Sequence, residues 1–214
     1  MKLVHVLALL GAFAIACGEP ALTNLDAGPS QDAGSEAVEH ACEERGTGSG
    51  VGDKLRNATF TNCLGDEVQL HDDCGDRKLR VLAISTVWCP ACKSYLRGLT
   101  FDHAISGGRD ASWDYLIIVA QDATRSPEIS LLECMAYANE LGADPDRVVL
   151  DPNFTITLGA DLIDVCGGGS ISLPHMAILD GDDMTYEYSR VCKERYPNGT
   201  YQSWREAFLA ELNE

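Results

Sequence analysis

Cys89 and Cys92 stand with two residues between them in STVWCPACKSY, residues 85–95. Thiols at this spacing suit three chemistries: reversible disulfide exchange, half of a metal site, or a structural staple. What flanks them favours the first. Leu79 to Thr86 is a short, continuous apolar run, the pattern of a buried central strand. Pro90 falls at a first helical position, where its missing N–H does no harm, and Lys93 to about Ile105 follows as a helix. A cysteine where a strand gives way to a helix meets free backbone N–H groups and the positive end of the helix dipole. The Cys89 thiolate is therefore stabilised and its pKa lowered. Cys92, one turn further in, lies within disulfide reach and is expected to be more buried. Cys89 is thus the expected attacking thiol and Cys92 the resolving one. Trp88 is expected to pack beside the sulfurs, or else to serve as a core aromatic at the strand end.

The elements that must hold this pair are legible from Val51 onward. Val68 and Leu70 alternate after a Leu64-Gly65-Asp66 turn and read as a hairpin. Tyr115–Ala120 is a second buried strand. Ser126 with Pro127 is the expected start of a helix that Gly142 stops after Leu141. Arg147–Leu150 is a third strand, and residues 153–165 are expected to be helical. Leu173–Asp180 is a strand entered through Pro174, Met184–Arg190 pairs back on it, and Tyr201–Leu212 is a terminal helix. Strands alternating with helices imply an α/β domain with a mixed central sheet. The domain is expected to span 51–214, a length ample for one core.

In front of it, MKLVHVLALLGAFAIAC has one lysine and then an apolar run too short to span a bilayer. Residues 1–16 read as a signal peptide. Ala12-Phe13-Ala14 suits ordinary cleavage and a secreted product, whereas Ala14-Ile15-Ala16-Cys17 resembles the lipobox of bacterial lipoproteins, with Ala14 where Leu or Val is usual. There are nine cysteines, and lipidation of Cys17 leaves eight, an even number suited to an oxidising compartment. The expectation is a cell-envelope or periplasmic lipoprotein, tied to the membrane at Cys17. The rest of 17–50 is rich in Gly, Ala, Ser, Pro and acids and reads as a disordered tether. A net charge of −17 and a pI near 4.5 argue against nucleic-acid binding.

Trp88-Cys89-Pro90-Ala91-Cys92 after a buried strand, followed far downstream by Leu173-Pro174, resembles the thioredoxin superfamily. Val51-Gly52-Asp53, Phe60, Gly65 and Leu70 resemble the added N-terminal hairpin of its extracytoplasmic, membrane-tethered TlpA/ResA-like (redoxin) branch. The resemblance implies a thioredoxin-like fold and a thiol–disulfide oxidoreductase, more often a reductase. It makes Pro174 a cis-proline against the cysteine pair, counted with Cys89 and Cys92 among the catalytic residues. Trp88, Pro90 and Leu173 become the residues that meet substrate. Partners would be protein thiols and disulfides together with a separate redox donor, with no cofactor and no metal. Two carboxylates of relatives are missing. Ala83 stands six residues before Cys89 and Tyr95 three after Cys92, so the proton acceptor for Cys92 is unassigned. Asp122, at a strand end near the site, is read as a turn residue.

The remaining cysteines allow fifteen pairings. The expected ones are Cys63–Cys74 across the hairpin, Cys166–Cys192 around the Pro174 strand, and Cys42–Cys134 tying the tether to a helix. Two other readings compete with dithiol exchange. One is a copper-binding module using Cys89, Cys92 and His175, since soft thiolates suit Cu(I). The other is a peroxiredoxin-like peroxidase, because Thr86-Val87-Trp88-Cys89 matches a T-x-x-C motif, although Leu82 stands where that motif wants proline.

Overall fold

Residue 42 and residues 45–163, 171–189 and 204–213 are described by the computed structural model. Apolar side chains on both faces force the central strands inside. β3 (Leu79–Ser85) and β4 (Trp113–Val119) are buried at every position, as strands covered on both faces must be. They run parallel, with Ile84 beside Ile118, and β5 (Val148–Leu150) continues the parallel set beyond β4. β6 (His175–Asp180) lies antiparallel on the other side of β3, followed by β7 (Tyr186–Ser189). β1 (Thr59–Asn62) adds antiparallel to β5 and carries β2 (Glu67–Gln69) at the edge. The sheet is seven-stranded and mixed, in the order β2-β1-β5-β4-β3-β6-β7.

Strand alternation divides the core. Val81 and Ala83 face α1 (Pro90–Ile105), α2 (Leu131–Leu141) and α4 (Trp204–Asn213) through Leu96, Leu99, Tyr137 and Phe208. Leu82 and Ile84 face the other way, toward Leu55, Phe60, Leu70 and Tyr186. Among the described residues no helix is long and apolar enough to cross a membrane.

Two local expectations change. α2 begins at Leu131 rather than near Ser126. Ser130 and Glu133 form a reciprocal capping box, which satisfies two free N–H groups and outcompetes the Ser126-Pro127 start. Gly142 does end the helix, in the left-handed conformation at φ 69°. The helix expected over 153–165 shrinks to a 3-10 turn at Pro152–Phe154 and a short α3 (Thr155–Gly159). The Asp151 carboxylate accepts from the Ile156 and Thr157 amides at 2.7 Å each, fixing where α3 starts.

The pairing of the outer cysteines also differs: the bonds are Cys63–Cys134 and Cys42–Cys74, not Cys63–Cys74 and Cys42–Cys134. The register explains it. Thr59 opposes Gln69, so Cys63 sits at the turn end of the β1–β2 hairpin and Cys74 lies past its open end. Four residues of strand span roughly 13 Å, well beyond the ~7 Å Cα separation a disulfide tolerates. At the turn end, the Cys63 amide donates to Val148 O at 2.9 Å, and α2 packs Cys134 over the same carbonyl. Cys74 instead meets the incoming N-terminal segment. That segment is hydrogen-bonded to the domain: Gly52 N donates to Tyr186 O and Tyr186 N to Asp53 O, both at 2.8 Å. Ser49, within the stretch read as tether, is buried. Cys17, Cys166 and Cys192 lie outside the described residues.

Candidate active site

At the carboxyl end of β3 the chain turns directly into α1. Cys89 is the residue at the cap, with extended backbone at φ −88° and ψ 103°, and Pro90 opens the helix. The Cys89 sulfur accepts the Cys92 backbone N–H at 3.1 Å, taking one of the donors a helix start leaves free. The first turn of α1 carries no acidic side chain to oppose an anion there. Cys89 and Cys92 are joined in a disulfide, with Cα atoms 5.3 Å apart. Cys89 retains 6% of its surface and Cys92 none, while Pro90 and Ala91 are exposed, so an incoming group meets Cys89 first.

Trp88 is half-buried beside the pair. Its indole N–H donates to Gln121 Oε1 at 2.9 Å, and the Arg125 guanidinium lies 4.6 Å over its ring. Leu173–Pro174 is a cis peptide bond. His175 opposes Ile84 in the β3–β6 ladder, which puts Pro174 across from the Ser85 end of β3, where the cysteine turn begins. Leu173 is partly buried and packs against both core clusters.

This architecture matches solved structures at low identity. A thioredoxin-family thiol:disulfide interchange protein from Chlorobium tepidum is 15% identical, with TM-score 0.51 over 79% of this chain and 99% of that one. The fold is thioredoxin-like. A second C. tepidum structure, a putative thiol:disulfide interchange protein of the DsbE type, gives TM-score 0.54 at 16% identity, over 76% of this chain and 97% of that one. A putative protein disulfide isomerase from Bacteroides thetaiotaomicron gives TM-score 0.53 at 16% identity, covering 78% and 91%. No family model matches the chain, and no curated protein sequence does.

Within this thioredoxin-like frame, Cys92 shares its core cluster with Ala83 and Tyr137. Ala83 is fully buried in the core cluster that contains Cys92, and Tyr95 is half-exposed on the outer face of α1. On the Ala83 side of the sheet, Ser85 Oγ and Tyr137 OH share a 2.8 Å hydrogen bond. Burial pushes the Tyr137 phenol up to about 12, so it stays protonated and acts as a donor rather than a base. Neither residue was flagged by sequence reasoning. The available signal was the Cys134, Tyr137, Ala138, Leu141 stripe, which marks the buried face of α2.

The loop after β4 was also missed, apart from Asp122, which is indeed a turn residue. Its carboxylate accepts from the Thr124 and Ser126 amides at 2.7 Å each and from the Thr124 hydroxyl. Burial alone would raise this carboxyl. The hydrogen bonds from Ser126, Thr124 and Arg125 outweigh it and hold the group below its usual range. His175 is buried at the start of β6, and among the described residues no group of three or more His, Cys, Asp or Glu side chains is placed to hold a metal ion.

Proposed function

We propose that the protein is a thiol–disulfide oxidoreductase that works on extracytoplasmic protein substrates in the reducing direction. The observation that carries this reading is the disulfide closed across the first turn of α1, with its outer sulfur at the helix cap and its inner sulfur sealed. In the reduced protein, the Cys89 thiolate attacks a substrate disulfide. One substrate thiolate leaves, and Cys89 is held in a mixed disulfide. Cys92, deprotonated, then attacks the Cys89 sulfur, the second substrate thiolate leaves, and the Cys89–Cys92 bond reforms. Two electrons have passed to the substrate, and a separate dithiol donor restores the pair. Trp88, Pro90 and Leu173 would frame the substrate, and Pro174 would back the reacting sulfurs.

Several features support the compartment. The Cys42–Cys74 and Cys63–Cys134 bonds suit an oxidising environment. The structures it resembles include thiol:disulfide interchange proteins, and the N-terminal sequence has the form of an export signal with Cys17 available for lipidation.

The test is trapping. Cys92→Ser should accumulate mixed disulfides through Cys89, and Cys89→Ser should form none. An unperturbed Cys89 pKa near about 8.5, with a pair that glutathione cannot reduce, would sink the redox reading. For direction, equilibration with glutathione should place the pair below roughly −200 mV; a value near about −120 mV would make it an oxidant instead.

A further inference from the structure

The loop after β4 presents a cation over Trp88, the residue that precedes Cys89. Arg125 stacks on the ring of Trp88, the residue next to Cys89, with its guanidinium 4.6 Å from the ring. Its backbone is left-handed at φ 70°, a conformation a long L side chain rarely adopts. The loop enforces it. The Asp122 carboxylate holds the Thr124 and Ser126 amides on either side, and the Arg125 amide donates to Asp122 O at 3.2 Å. Trp88 is fixed in turn by Gln121, whose amide reaches Asn153 at 3.3 Å. Asn153 and Phe154 are also left-handed, at φ 55° and 60°. Three strained residues thus gather along the carboxyl ends of β4 and β5, and such strain concentrates where a surface does work.

Charge accounting singles out Arg125. Lys93 and Arg97 on α1 are both tied to Glu140, at 2.9 and 2.8 Å. Arg125 is exposed and has no ion-pair partner among the described residues, while the Asp122 carboxylate is occupied by its own turn. Arg125 is exposed, and its contact with the Trp88 ring leaves guanidinium N–H donors open to a carboxylate. The protein as a whole carries −17, which disfavours anionic partners at long range. At physiological salt, however, charges beyond roughly 8 Å are largely screened, so a cation held over the side chain next to Cys89 dominates for a group that docks against it.

We propose that Arg125, laid on Trp88, selects substrates bearing an acidic group next to the disulfide that Cys89 attacks. This rests on the dithiol reading above. The test uses the reduced full chain and small disulfides of differing charge: oxidised glutathione (anionic), hydroxyethyl disulfide (neutral) and cystamine (cationic). Arg125→Glu should lower the glutathione-to-cystamine rate ratio about tenfold or more and leave the neutral probe within about twofold. Arg125→Asn, which tolerates the left-handed backbone, should lower the ratio by a smaller step in the same direction. Arg109→Glu, the same charge change before β4 at the far end of the sheet, should leave the ratio unaltered. An unchanged ratio in Arg125→Glu, or an equal slowing with all three probes, overturns the proposal. A reduced wild-type protein inert to every probe would overturn the dithiol reading itself.

Discussion

The two ends of the parallel strands β3, β4 and β5 are built from opposite materials. At the carboxyl end sit a disulfide, the buried Ala83 and a Ser85–Tyr137 hydroxyl pair. At the amino end, about 220 Å³ of cavity is lined by Arg80, Arg109, Arg147, Asp73, Asp114 and Asp146 among others. Asp114 is 1% exposed and meets both Arg147 and Arg80. Arg80 also pairs with Asp73 and donates to Leu70 O at 2.6 Å. Burial pulls the Arg147 guanidinium down to about 10 and lowers Arg80 as well. The fold buries paired opposite charges at the end away from the cysteines, whereas the buried carboxylates at the carboxyl end, Asp122 and Asp151, are held by backbone amides. Five residues of strand, roughly 17 Å, separate Arg80 from Ser85, so the buried acid Asp114 is too far to take a proton from Cys92.

Four experiments strain this contrast, from the largest expected effect to the smallest. Asp114→Ala leaves Arg147 buried without its counter-charge and should cost about 3–5 kcal/mol in urea unfolding. Disulfide exchange by the protein that remains folded should be unchanged; a matching loss of exchange would mean the two ends are coupled.

Ala83→Asp moves a carboxylate to the redox end, into the apolar cluster under α1. It should cost about 2–3 kcal/mol at neutral pH. The sign with pH follows from burial. The introduced carboxyl has a folded pKa above its unfolded value, so the ionisation part of the penalty vanishes below about pH 4 and grows as pH rises to the folded pKa, while the cost of burying the neutral group persists. Unfolding at about pH 5 and about pH 8 should therefore show the larger deficit at the higher pH; equal deficits would contradict the apolar character of the site.

Tyr137→Phe strips the hydroxyl from the Ser85 pair and should cost about 1 kcal/mol. Since the phenol stays protonated, the pH profile of exchange should keep its shape; a lost limb would show Tyr137 to be the missing base.

The smallest effect concerns Asp122. Its folded pKa is lowered, so its contribution is complete above the ordinary aspartate value of about 4 and is lost as pH falls below it. Trp88 fluorescence, read in a variant lacking Trp113 and Trp204, should change in that acid window before global unfolding. A signal flat down to global unfolding would show that the turn does not depend on this carboxylate.

Much of this was legible in advance because it is local. Continuous apolar runs mark β3 and β4, since only strands covered on both faces need them. Cys89 at a strand-to-helix junction with Pro90 behind it reads as a helix start from residue type alone. The start of α2 was misplaced although its signal was present: Ser130 and Glu133 outcompete Ser126 because the reciprocal box satisfies donors at both of its ends.

The sequence by itself determined the succession of strand, cysteine pair and helix and the mixed α/β class. These follow from periodicity and turn chemistry, which act over a few residues. Only the tertiary structure decided which cysteines pair, since Cys63 finds Cys134 through the register of β1 on β5 and the packing of α2 above it. The same holds for Arg125 on Trp88 and for the charges gathered at the far end of the sheet. Contacts between residues tens of positions apart depend on how strands are ordered, and no local pattern in the chain carries that information.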